Sequence, residues 1–126
     1  MWLLYLATGA GGALGAVTRV FLSSLFVDSI VGLPFQIFCI NVIGCFAMGF
    51  LVEMMSIYWS PSDAVRHFLI PGFLGGFTTF SSFSLEFGLL FEKHLYAEAM
   101  LYVFLSVFLG MVAFFTGVTL VRMFSW

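Results

Sequence analysis

Polar and charged residues are so sparse along this chain that they act as punctuation between long apolar runs. Apolar sequence extends over Met1–Thr18 and past Arg19 to Val27, then over Ser29–Val52, His67–Leu85 and Ala99–Val121. Each run holds 18 or more uncharged residues, the length at which a helix crosses a bilayer. The 24 residues of Ser29–Val52 would rise about 36 Å as a helix, enough for a hydrocarbon core of about 30 Å with tilt. The interruptions are turn-like or charged: Asp28 to Pro34, YWSPSDAVR over Tyr58–Arg66, and EKHLYAE over Glu92–Glu98. Tyr58, Trp59 and Tyr96 stand at these interruptions, where amphipathic rings settle among headgroups. The pattern predicts an all-α membrane protein, a single domain over residues 1–126, with transmembrane helices over about 2–26, 30–57, 66–91 and 97–122. The first run lacks a basic leading region and is too long for a signal peptide, so it is read as a mature helix.

Composition closes off other classes. The chain is 63% hydrophobic, 20% aromatic and 8% charged, against about 25% charged in soluble domains. Its mean hydropathy is +1.17. Ten charged side chains cannot cover a soluble surface, and a net charge of −2 without a basic patch speaks against nucleic acid. Cys39 and Cys45 fall off a common helical face and are read as small core residues rather than a disulfide. His67 and His94 lie at helix ends without metal-ligand spacing or a nucleophile partner, so no enzyme chemistry is expected.

The third run is the anomaly. Over IPGFLGGFTTFSSFS it carries Pro71, Gly72, Gly75 and Gly76, then Thr78, Thr79, Ser81, Ser82 and Ser84. Glycine weakens a helix by about 1 kcal/mol and proline by about 3, so a broken third helix is expected. Such a break is tolerated at membrane depth only where protein or water covers it. One reading is tight packing through small residues; the other is a discontinuous helix whose free carbonyls and half-helix ends meet an ion. Phe80 and Phe83 share a face, and a ring edge carries partial positive charge that can meet an anion. Asn41 is the only Asn in the chain; its amide either bonds a neighbouring helix or donates to an anion. Tyr102 and Ser106 place two hydroxyls on one face of the fourth helix. Arg19, at the end of the first span, either snorkels or forms a positive vestibule. Gly9, Gly11, Gly12, Ala13, Gly15 and Ala16 give that span a small-residue face.

Orientation is undetermined by charge. Arg66 and Arg122 flank one side of the membrane, Arg19 and Lys93 the other. With two against two, the positive-inside rule has nothing to act on. The chain is therefore expected to insert both ways and to pair as an antiparallel homodimer.

The run Gly75–Ser84, with Glu86 just beyond, resembles the signature of the Fluc (CrcB) fluoride channels. Ile40-Asn41-Val42-Ile43-Gly44 and the Gly-rich Gly9–Arg19 are similar to that family's first two helices, and the similarity covers essentially the whole chain. The resemblance implies a dual-topology antiparallel homodimer with two separate pores that exports fluoride passively across a bacterial inner membrane. By the same resemblance Phe80 and Phe83 line the pore with Asn41 nearby. Tyr102 and Ser106 begin a polar track, and Arg19 sits in an aqueous vestibule. Backbone carbonyls of Gly75 and Thr78 from both subunits are implied to hold a structural sodium ion at the dimer interface. Two departures stand out: Ser82 replaces a Thr common in the motif, and continuing the track from Ser106 meets Gly110 and Phe114 rather than hydroxyls. The alternative is a small multidrug-type proton-coupled exporter, which needs an acidic residue at membrane depth. The first three spans hold no central Asp or Glu, and Glu86 sits near an end.

Overall fold

The computed structural model describes residues 1–30 and 32–125. Helix α1 runs over Trp2–Ser23, α2 over Gln36–Ile57, α3 over Asp63–His67, α4 over Gly75–Phe77, α5 over Phe80–Glu92 and α6 over Tyr96–Arg122. Two-residue strands β1 (Ser29–Ile30) and β2 (Leu33–Pro34) pair antiparallel between α1 and α2. Among the described residues four helical stretches are long and apolar enough to cross a membrane: Trp2–Ser23, Gln36–Ile57, Asp63–Glu92 and Tyr96–Met123. This is a multi-pass membrane protein.

The second span departs from the expected 30–57, because its helix begins only at Gln36. The preceding apolar residues form the small hairpin instead. Gly32 takes φ +78, a turn conformation open to glycine, and Pro34 brings no backbone donor to a helix. Gln36 then ties the helix start back, its Nε2 donating to Asp28 Oδ1 at 2.7 Å.

The third span is a composite. Ser62 caps α3 by accepting from the Val65 N–H. Phe68–Leu74 follows as a π-helical stretch with Pro71 inside it. Proline removes one donor from the ladder and crowds the carbonyl a turn earlier, and a wider turn relieves both. His94, at φ 59, forms the turn from α5 into α6.

Packing is interleaved: α1 lies along the π-helical stretch and α4, while α2 lies along α6. Both contacts are backbone-close and run through glycine. A Cβ at Gly11 would strike the Phe68 carbonyl oxygen, and one at Gly15 that of Phe73. Across the other contact, a Cβ at Gly49 would strike the Phe114 carbonyl and one at Gly117 that of Phe46. Such small-residue seams bring helices together where lipid supplies no hydrophobic drive. At one end, Arg122 Nε pairs with Glu53 Oε1 at 2.8 Å, and the Tyr58 hydroxyl donates to the Phe124 carbonyl. The ends of α2 and α6 thus share one side of the membrane.

Candidate functional site

Helical geometry stops between α4 and α5. Thr78 (ψ 156) and Thr79 (φ −150, ψ 125) are extended, so the third span comes apart at the middle of its hydroxyl-rich motif. Asn41 holds this joint from α2. Its Nδ2 donates to the Thr79 carbonyl and its Oδ1 accepts the Thr79 N–H, both at 2.9 Å. One amide thereby satisfies the donor and the acceptor of one extended residue, groups that would be costly bare in a bilayer. Gly44, one turn along, lets α2 seat against the joint, since a Cβ there would collide with the Thr78 methyl. Of the two readings open for Asn41, the structure shows a bond to a neighbouring segment; one amide hydrogen is left over.

The same bonds strip two carbonyls of their ordinary helical donors. In a continuous helix the Thr79 N–H would reach Gly75, but it goes to Asn41. The Ser82 N–H would reach Thr78, but it goes to Thr79 Oγ1 at 3.1 Å, which caps α5. Gly75 lies exposed on the outside of the chain and Thr78 half-buried. Two carbonyl oxygens one turn apart are hard donors of the kind alkali cations accept.

Below the joint lies a groove of about 570 Å³, whose lining includes Asn41, Thr78, Phe80, Phe83 and Ser106. The rings of Phe80 and Phe83 stand 5.6 Å apart at 50°. Phe83 in turn packs on Tyr102 at 5.2 Å. Tyr102 is 1% exposed, and its hydroxyl and the Ser106 hydroxyl are buried without a hydrogen-bond partner among the described residues. An unpaired buried hydroxyl costs about 1–3 kcal/mol, so two in succession on one helix face need a reason. Helix-to-helix bonding, the plain reading of this pair, is not what they do here. No carboxylate lines the groove among the described residues, which leaves a proton-coupled cation exporter without its exchange group.

Five of the expected residues thus line one groove, with Tyr102 joined to it through Phe83. Arg19 is outside the lining, half-buried near the end of α1. Cys45, read from sequence as a plain core residue, instead lines the groove. Its spacing of four from Asn41 was the available signal.

A family model described as CrcB-like protein, Camphor Resistance (CrcB), matches residues 6–118. A protein of Rhodospirillum centenum named fluoride-specific ion channel FluC is 42% identical over 121 residues, covering 94% of this chain and 95% of that one. One of the same name from Rhodopseudomonas palustris is 40% identical over 119 residues, covering 94% and 96%. A third, from Chlorobium luteolum, is 38% identical over 120 residues, covering 95% and 93%.

Proposed function

The chain belongs to the CrcB family, and from that premise we propose that it is a fluoride-selective ion channel, passing the ion down its gradient and out of the cytoplasm. The observation that carries this reading is the pair of buried hydroxyls of Tyr102 and Ser106, unpartnered among the described residues, with Tyr102 set against the Phe83 ring. Fluoride is a small, strongly hydrated anion, so a path for it must return what water gave. Hydroxyls do so by donating hydrogen bonds, and phenyl edges by their partial positive charge. Phe80 and Phe83 supply the edges, Tyr102 and Ser106 the donors, and the spare Asn41 hydrogen a third donor. Arg19 raises the local anion concentration at the mouth.

The working unit is proposed to be an antiparallel homodimer of dual topology in a bacterial inner membrane. Its support is the even split of Lys and Arg between the two sides and the outward position of Gly75 and of Phe80, which is 78% exposed. A two-fold axis in the membrane plane would bring the Gly75 and Thr78 carbonyls of both copies together around a structural sodium ion. That ion would be coordinated by carbonyls deprived of helical donors and would hold the two joints in register.

Efflux from liposomes tests the central reading. Purified protein should release fluoride at least a hundredfold faster than chloride, and replacing Phe83 with Ile should reduce release at least tenfold while the protein stays folded. Equal release of the two halides would overturn it.

A further inference from the structure

Positions 102, 106 and 110 follow one another at four-residue spacing along α6, but only the first two carry a hydroxyl. Gly110 is buried and has no side chain to offer. A Cβ at Gly110 would stand 3.4 Å from the Cys45 Sγ of α2. Cys45 is a free, half-buried thiol on the same groove as Ser106. The lining also includes Met48, Val107, Met111, Phe114 and Phe115, none of which carries an O–H or N–H on its side chain. A thiol is a weak donor, but it is a donor.

We propose that the Cys45 thiol takes over where the two-hydroxyl stripe of α6 ends at Gly110, receiving fluoride after Ser106 from the facing helix. The inference rests on the channel reading above and adds a residue to the path. Two independent observations meet in it: the thiol beside Gly110, and the buried Tyr102 and Ser106 hydroxyls, unpartnered among the described residues, whose stripe leads there. Gly110 gives the sulfur room, and the larger, softer sulfhydryl replaces a hydroxyl from across the helix seam.

Fluoride efflux from liposomes provides the test, with size-exclusion profiles as the folding control. Cys45→Ser should keep release within twofold of wild type, since it preserves a donor. Cys45→Ala should lower it at least tenfold, and Gly110→Ser in the Cys45→Ala background should restore at least half. Micromolar Ag⁺ on the unmodified protein gives a second readout, independent of any variant's folding. Thiolate is a soft ligand that captures such a cation, so Ag⁺ should stop release by wild type and by Cys39→Ser but spare Cys45→Ser. Unchanged release in Cys45→Ala, or wild-type release indifferent to Ag⁺, overturns the role of Cys45 while leaving the channel reading intact. Wild-type protein that releases no fluoride at all overturns both.

Discussion

Asn41 shows how much one side chain can decide. Its amide matches the Thr79 peptide donor for acceptor, a pairing that a carboxylate cannot reproduce. In Asn41→Asp the Thr79 carbonyl would face an oxygen without a proton to give, and a negative charge would stand beside the anion path. Asn41→Ala would leave both peptide groups bare, at about 1–3 kcal/mol each. Both variants should lose at least tenfold in fluoride release and melt earlier than wild type in detergent. Normal release by Asn41→Asp would remove the residue from the path, and an unchanged melting point would remove it as the support of the joint. Sequence could nominate Asn41 as a lone amide in an apolar run. It could not supply the partner, which lies 38 residues away on a segment whose extended backbone has no local hydropathy signature. Tyr102 and Ser106 were legible for the opposite reason: their pairing is a matter of helical spacing alone.

Among the elements, hydropathy located the membrane spans because ten charges leave few places for a helix to end. It missed the start of α2, since Ile30, Leu33 and Pro34 are as apolar as the helix that follows; only Gly32 and Pro34 mark the turn. The glycines that join α2 to α6 are the more consequential detail. Gly49 abuts the Phe114 carbonyl and Gly117 that of Phe46, so the obstacle to any larger residue is backbone, which cannot swing away. Gly49→Val should force the helices apart at a cost of about 1–3 kcal/mol, read as a lower midpoint in thermal or denaturant unfolding. Gly9 meets nothing within 4 Å, so Gly9→Ala should not lower that midpoint and should raise it slightly through the helix propensity that glycine lacks. Arg122→Ala takes an exposed guanidinium away from the largely covered Glu53 carboxylate and should lower the midpoint, at a cost of about 1–3 kcal/mol. If Gly49→Val and Gly9→Ala behave alike, the seam is not what holds α2 to α6.

At the level of the whole molecule, charge balance and the Gly75 and Thr78 carbonyls left without helical donors make separate demands. A tag at the C-terminus should label from both sides of the membrane; labelling from one side alone would rule out dual topology. Replacing Na⁺ by N-methylglucamine should lower both the dimer fraction and fluoride release, while Gly75→Val should mimic that loss in full sodium by displacing the backbone. If neither dimer nor release responds to the cation, the freed carbonyls have another partner. The interleaving of the four spans also bears on how the chain is made. The first span packs on the third and the second on the fourth, so neither neighbour in sequence is the principal neighbour in space. A ribosome that has delivered residues up to Glu92 has given α1 its mate but left the Gly49 face of α2 against lipid, with α6 still to come. Synthesis therefore cannot lock the structure helix by helix, and its second seam can close only once the last span has been made.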